Sequence, residues 1–342
     1  MKQQVEKEVR EHHEWGWHFI WLWIKVMFLR IMTHIDVYTT DHLRPQIGND
    51  VRIEKIKFPS RDPGRYIKAH VYTPVDLPEG PNPIHINVHG SGFTVHAFFG
   101  NSRWFCYQVA SKLKCVVIDT DYRKAPEYPY PFPSRDVEDS ILWVLSQPQR
   151  FDKETLTVSG FSAGGNLALA AANRLDDGIV KAAVLYYPPT DATTEEAAVG
   201  RREHPDPKES ARSGTHLDSW MFATFFQSYL PPHVSPGLPQ VSVLYLPLER
   251  YPHRMLFVAG RCDVLHDNSG DFYDRVQKEG RPEQKAHTRF ISVPFEDHAF
   301  DEVPKTPESV EWRDKVYQAG VDTIRAAHEE ARQKRALSQK LI

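Results

Sequence analysis

The chain is poor in cysteine, because only Cys106, Cys115 and Cys262 occur among its 342 residues. Three is an odd number and two of them lie in apolar runs, which disfavours a disulfide framework. Buried free thiols in a reducing, cytoplasmic compartment are expected instead.

Excess charge of one sign is lacking too, since the net charge is −3, and no basic patch indicates nucleic acid as a partner. Histidine and cysteine do not cluster at metal-ligand spacing, so neither a metal nor an organic cofactor is predicted.

Long apolar runs are scarce as well. The richest one, residues 15–32, contains four tryptophans but is interrupted by His18, Lys25 and Arg30. A membrane-spanning helix needs about 20 consecutive apolar residues, and no small-residue cleavage site of a secretory signal follows. The favoured interpretation is therefore a helix that covers a binding pocket. Peripheral contact of residues 15–32 with a membrane surface is the first alternative, and a true span is the second.

Residues 160–164 read Gly-Phe-Ser-Ala-Gly, which makes Ser162 a candidate nucleophile. The apolar residues before it indicate a short buried strand, and the run at 166–172 is rich in strong helix formers. A serine on such a strand-to-helix turn has a strained backbone and an exposed hydroxyl. The amides of the following helix then point to where negative charge develops. An incidental serine in a glycine-rich turn is the alternative.

A second loop upstream is a candidate anion site. The alternating strand at 84–88 runs directly into His89-Gly90-Ser91-Gly92. Glycines let the backbone approach a ligand closely, with free amides that stabilise the oxyanion of acyl transfer. His89 is predicted to hold this loop in place rather than to act as the base.

Candidates for the acid and the base follow two later strands. Asp263 comes just after the apolar strand at 254–260, and His298 follows the strand at 288–293. The carboxyl ends of parallel strands form the rim where α/β active sites are built. The chain order Ser162, Asp263, His298 is that of an α/β-hydrolase triad.

Other acidic residues compete for the same role. Asp191, after the strand at 180–186, is an alternative partner for the histidine. Glu296 and Asp297 stand directly before the histidine and are interpreted as solvated loop charges.

These stretches together resemble the hormone-sensitive-lipase family of α/β-hydrolases, also called the arylacetamide-deacetylase-like or HGGG esterases. The similar segments are, in chain order, residues 89–92, 121–127, 161–166, 263–265 and 298–300. The resemblance implies that Ser162 is the nucleophile, His298 the general acid and base, and Asp263 its orienting carboxylate. It also implies that the backbone amides of Ser91, Gly92 and Ala163 form the oxyanion hole.

Two positions depart from the family pattern. Ser91 stands where the family usually has the middle of three glycines, and a serine can serve there because the hole uses backbone amides. Phe161 precedes the nucleophile where many members have Asp or Thr, which makes the back of the site more apolar. Neither change removes a catalytic group.

The predicted architecture is an α/β-hydrolase fold: an eight-stranded, mostly parallel sheet flanked by helices, with a helical lid. The first two strands are expected to form an antiparallel edge hairpin. Tyr-Pro repeats at 128–133 predict a rigid surface connection. The predicted division is an N-terminal lid segment (1–50), a first core part (51–190), a lid insertion (191–250) and a second core part (251–342).

Lid aromatics predict a mostly apolar pocket, with Phe93, Trp220 and Phe226 as candidate walls. The expected activity is hydrolysis of a small hydrophobic carboxylic ester. Alternatives are a lactonase, an amidase or a tailoring enzyme of a specialised-metabolite pathway, because the same triad serves all of them. Plant gibberellin receptors resemble the family yet lack its catalytic histidine; since His298 is present, a pure binding protein is the less favoured reading. The oligomeric state, monomer or homodimer, stays open.

Overall fold

The computed structural model describes residues 16–193, 206–207 and 210–340. Its central sheet has the strand order β1-β2-β4-β3-β5-β6-β7-β8, with β1, β2 and β4 paired antiparallel and all later pairs parallel. This confirms the predicted eight-stranded, mostly parallel sheet with an antiparallel edge hairpin. The strands are β1 (Val51–Pro59), β2 (Tyr66–Pro74), β3 (Asn82–Val88), β4 (Val116–Thr120), β5 (Phe151–Phe161), β6 (Ala182–Tyr186), β7 (Arg254–Gly260) and β8 (Thr288–Val293).

Helices cover both faces of the sheet, and this explains why β4 and β6 are buried at every position. Apolar side chains of α3, α4 and α6 share one core cluster, and those of α2 and α8 share the other. The helices are α1 (Trp17–Thr40), α2 (Arg103–Leu113), α3 (Phe132–Leu145), α4 (Ala163–Arg174), α5 (Ser219–Tyr229), α6 (His266–Glu279), α7 (Pro282–His287) and α8 (Pro307–Lys340).

The prediction of a surface connection at 128–133 is wrong in its second half. Phe132 and Pro133 are buried and begin α3. Proline is tolerated in the first turn of a helix because its missing N–H has no intrahelical partner there. The backbone of Tyr130 is hydrogen-bonded to the end of α5, since its N–H donates to Tyr229 O at 2.7 Å.

Helices α1 and α5 lie against each other over the carboxyl edge of the sheet. Leu29 of α1 and Phe225 of α5 form an apolar cluster with Val95. The other face of α1 leaves large apolar side chains exposed, among them Trp17 (81% exposed) and Trp21. No helix in the described part of the chain combines the length and apolarity needed to cross a membrane. Peripheral membrane contact and the four-part division of the chain stay predictions. Residues 1–15 of the expected N-terminal lid segment, and residues 194–205 and 208–209 of the expected lid insertion, lie outside the described residues.

The three cysteines are all buried free thiols, as expected from their odd number and from the apolar runs around two of them.

Candidate active site

Ser162 occupies the turn that joins β5 to α4, with φ 50° and ψ −124°. L-residues rarely adopt a positive φ, so the surrounding structure must hold this conformation. The Ser162 N–H donates to Tyr186 O of the neighbouring strand at 2.8 Å. Glycines make the turn feasible, because a Cβ on Gly160 would lie 2.4 Å from Gly164 O and a Cβ on Gly164 would lie 2.2 Å from Val88 O.

The structure brings together the three side chains predicted from chain order. His298 Nε2 lies 3.0 Å from Ser162 Oγ, and His298 Nδ1 lies 2.9 Å from Asp263 Oδ2. Asp263 is 1% exposed and His298 6%. The second carboxylate oxygen of Asp263 accepts the backbone N–H of Leu265 at 2.9 Å, which fixes its orientation. A buried carboxylate so placed selects the imidazole tautomer that carries its proton on Nδ1.

The electrostatic surroundings favour a protonated His298. Burial is the largest single influence and lowers the pKa of the imidazole. The charge and hydrogen bond of Asp263, together with the charges of Asp297 and Asp301, outweigh burial and place that pKa above its ordinary value of 6.5. The imidazolium that forms when a serine hydroxyl is deprotonated is therefore stabilised.

The alternative acid Asp191 does not contact the histidine. Its carboxylate accepts the Tyr245 hydroxyl at 2.8 Å and the Thr193 backbone N–H at 2.9 Å. Asp263 is thus the carboxylate that the structure places against the ring of His298.

The interpretation of Glu296 and Asp297 as solvated charges is wrong, since both are buried. Asp297 Oδ1 accepts the backbone N–H of His298 at 2.7 Å, and Oδ2 lies 3.3 Å from His216 Nδ1. Burial and then the charge of Asp263 raise the pKa of Asp297 to about 6. Because it accepts the backbone N–H of His298 and contacts His216, Asp297 helps to fix the loop that carries the histidine. Its burial depends on residues around 213–216, distant in the sequence, so no local pattern indicated it.

The resemblance assigned the oxyanion hole to the backbone amides of Ser91, Gly92 and Ala163. Ala163 is the first residue of α4, so its N–H has no intrahelical acceptor. Ser91 and Gly92 follow β3, and Gly92 has φ +51°. None of these three N–H groups donates to another described residue, and all three residues line the cavity that contains Ser162 and His298.

The Ser91 side chain points away from this group of amides and into the protein. Its Oγ lies 2.7 Å from Tyr122 Oη, and the Tyr122 hydroxyl donates to His89 O at 2.8 Å. His89 is buried, with Nδ1 2.8 Å from Gly90 O and Nε2 3.3 Å from Asp121 Oδ1. The loop is therefore held from within. Sequence reasoning had assigned Tyr122 no role, although it lies in the segment 121–127 that carried part of the resemblance.

The cavity over Ser162 has a volume of about 470 Å³. Phe93, Trp220 and Phe226 all line it, as predicted, and α1 adds Phe28 and Leu29. Phe93 is buried and stacks on Tyr229, with ring centroids 3.9 Å apart.

One side of the cavity is polar, which the sequence did not reveal. Arg44, Asn101 and Glu302 line it there, and Asn101 Nδ2 donates to Glu302 Oε2 at 2.8 Å. Within the described ranges, no group of three or more His, Cys, Asp or Glu side chains is arranged to hold a metal ion.

The comparisons with known proteins agree with this geometry. The family described as the alpha/beta hydrolase fold has a sequence model that matches residues 85–301. An ethyl acetate hydrolase of Pseudomonas putida is 28% identical over 242 residues, 67% of this chain and 70% of that protein. Tuliposide A-converting enzyme 1 of Tulipa gesneriana is 28% identical over 237 residues, 64% of this chain and 58% of that protein. The structure of a hyperthermophilic esterase from Pyrobaculum calidifontis superposes with a TM-score of 0.69 at 26% identity, covering 88% of this chain and 93% of that one.

The chain therefore belongs to the α/β-hydrolases, in the group related to hormone-sensitive lipase. Within that group it is a carboxylesterase-like hydrolase. The predictions of fold, family and enzyme class are confirmed.

Proposed function

We propose that this protein hydrolyses carboxylic esters of hydrophobic small molecules, with Ser162 as the nucleophile of an acyl-enzyme mechanism. The observation that carries the proposal is the hydrogen-bonded series from Asp263 through His298 to Ser162 Oγ, with steps of 2.9 and 3.0 Å. It ends beside amides that have no partner among the described residues. A weak nucleophile, its base, an orienting carboxylate and an oxyanion site are the groups that acyl transfer requires.

In the first half-reaction, Ser162 Oγ attacks the ester carbonyl carbon while His298 Nε2 takes the hydroxyl proton. The carbonyl oxygen becomes an oxyanion that accepts hydrogen bonds from the backbone amides assigned to the oxyanion hole, those of Ser91, Gly92 and Ala163. As the tetrahedral intermediate collapses, the bond to the alcohol oxygen breaks and His298 returns its proton to that oxygen. Asp263 stays ionised and stabilises the imidazolium.

In the second half-reaction, a water molecule replaces the departed alcohol. His298 takes one proton of the water as the water oxygen attacks the acyl carbon, and the same amides bind the second oxyanion. Collapse breaks the bond to Ser162 Oγ, which regains its proton from His298. The products are a carboxylic acid and the free serine, so the cycle closes without a cofactor.

The walls of the cavity support the substrate class. Phe28, Leu29 and Phe222 present apolar surface, and a volume of about 470 Å³ suits a small organic molecule rather than a polymer. The relative from Pseudomonas putida is named for a small ester, ethyl acetate. We assign the lid role to α1 and α5, whose side chains lie between the cavity and solvent.

The proposal is tested with a fluorophosphonate probe and an ester panel. The probe should add one adduct, located on Ser162 by peptide mass spectrometry, and p-nitrophenyl esters of increasing acyl length should be turned over. A lactone and an anilide in the same panel test the alternative activities. Ser162→Ala should lose both labelling and turnover, while the exposed-site control Ser146→Ala should keep both. An unlabelled wild type without turnover, or an active Ser162→Ala, would contradict the mechanism.

A further inference from the structure

Arg30, like Lys25, interrupts the apolar run of α1, but its side chain is turned to the protein and is largely buried. Its guanidinium donates from Nη1 and Nη2 to the two carboxylate oxygens of Glu127, each at 2.6 Å. It also donates from Nε to Thr94 O and from Nη2 to Ala125 O, both at 2.9 Å. One side chain of the N-terminal helix thus joins three separate points of the core.

Both carbonyls belong to backbone that supports the oxyanion loop. Thr94 N–H and Val95 N–H donate to Ser91 O at 3.0 and 2.9 Å, and Ala125 N–H donates to Phe93 O at 2.9 Å. The turn at 91–95 is therefore stabilised by its own backbone hydrogen bonds, and it is also bonded to Arg30 through Thr94 O and to Ala125 through Phe93 O. Thr94 and Ala125 are fully buried, so these carbonyls depend on protein donors rather than on water.

We infer that Arg30 is a positioning residue for ester hydrolysis: through Thr94 O it holds the oxyanion loop, and with it the Gly92 amide, in the geometry that binds the developing oxyanion. The inference rests on the proposed function. It also makes α1 more than a cover for the cavity, because the helix sets the position of an anion-binding amide that lies more than 60 residues later in the chain.

The chemistry of arginine suits this role and that of lysine does not. A planar guanidinium can bind a carboxylate in bidentate fashion and still donate to two carbonyls, whereas an ammonium is a point charge with three donors. Burial is the largest influence on Glu127 and raises its pKa, but the hydrogen bond and charge of Arg30 outweigh it and leave the pKa below the ordinary value. Glu127 therefore keeps its charge at neutral pH and anchors the guanidinium.

A purely structural role would have a different signature. If Arg30 only stabilised the packing of α1 against the core, its loss would lower the free energy of unfolding, or it would raise KM because the cavity wall formed by α1 becomes less ordered. Loss of a positioned amide instead weakens binding of the transition state specifically, which lowers kcat and weakens binding of a transition-state analogue to the same degree.

The experiment compares wild type with Arg30→Met, Arg30→Lys, Glu127→Gln and a matched control. The control is Arg335→Met, since Arg335 also binds both oxygens of one carboxylate, that of Asp152, each at 2.7 Å, but at the opposite end of β5 from Ser162. Each variant is assayed for kcat and KM with a p-nitrophenyl ester, for the inhibition constant of a trifluoromethyl ketone, and for thermal unfolding.

Arg30→Met should lower kcat about 10- to 100-fold, as expected for a misplaced catalytic donor, with KM changed by less than about threefold. The inhibition constant of the ketone should rise by the factor by which kcat/KM falls. Arg30→Lys should recover little of this loss. Glu127→Gln should show a smaller loss, because the contacts of Arg30 with both carbonyls remain, and Arg335→Met should show none.

A folded Arg30→Met or Arg30→Lys whose kcat and ketone inhibition match wild type would overturn the inference, and so would a change confined to KM. If Arg30→Met does not fold, Arg30→Lys and Glu127→Gln decide by the same two constants. Failure of the proposed function is distinct, because wild type itself would then neither turn over esters nor label at Ser162.

Discussion

Gly92→Ala should lower kcat/KM by about 100-fold in a protein that still folds. A Cβ at this position would lie 2.7 Å from a ring carbon of Phe225 in α5, whereas ordinary contact begins at 3.4 Å. Either the oxyanion loop or α5 must therefore shift by about 0.7 Å. The Gly92 amide is one of the proposed oxyanion donors, and removing a donor of this kind altogether costs about 100- to 1,000-fold in kcat.

The loss has to be separated from the strain of the backbone itself, because Gly92 has φ +51°. Gly64→Ala is the matched control: Gly64 has φ +78°, and no atom lies within 4 Å of a Cβ built there. Both variants should lose about 1–2 kcal/mol in free energy of unfolding, since both place alanine in left-handed backbone. Gly92→Ala should lose more than Gly64→Ala, because its new methyl group also overlaps Phe225. Only Gly92→Ala should lose activity.

Urea unfolding measures the stability of each variant, and initial rates with a p-nitrophenyl ester measure kcat/KM. Adding Phe225→Leu to Gly92→Ala should restore part of the rate, because the flexible aliphatic side chain can move away from the new methyl group. A kcat/KM for Gly92→Ala within about threefold of wild type would refute the assignment of this amide to the oxyanion hole.

The remaining predictions concern the triad and its loop. Asp263→Asn should lower kcat by about four orders of magnitude, and Asp191→Asn should leave it nearly unchanged; the reverse result in the same rate assay would exchange their roles. The kcat/KM of wild type should fall on acidification with a midpoint above 6.5, because the raised pKa of His298 leaves more imidazole protonated and unable to accept the serine proton. A midpoint at or below 6.5 in the pH–rate profile would contradict that reasoning. Ser91→Gly should retain kcat, because the backbone amide remains, and should lose about 1 kcal/mol in free energy of unfolding with the hydrogen bond to Tyr122; a collapse in rate would mean that the Ser91 hydroxyl takes part.

The sheet was predictable because its strands are short apolar runs ended by glycine or polar residues, and both faces of most of them are covered. The contact of Ser162, Asp263 and His298 was predictable for a related reason. Each residue follows a strand whose carboxyl end lies on one edge of the sheet, so residues 101 and 35 positions apart meet there.

Side chains whose surroundings come from distant segments were not predictable in this way. Asp297 looks like a loop charge until residues around 213–216 cover it. Arg30 looks like an interruption of an apolar helix until Glu127 and two carbonyls supply its partners. The sequence does not show whether a charged side chain forms its hydrogen bonds with water or with protein, because the tertiary structure determines its partners.

The backbone of Ser162 also implies that the protein gives up some stability at the proposed nucleophile. With φ 50° and ψ −124°, this residue occupies a region where glycine is at ease and a side chain is not. Ser162→Gly and Ser162→Ala both lack the hydroxyl. The free energy of unfolding should nevertheless be about 1 kcal/mol higher for the glycine variant, because only alanine keeps the backbone strain. On the proposed mechanism, this backbone strain is the cost of placing a hydroxyl at the turn, and a single substitution to glycine would relieve it.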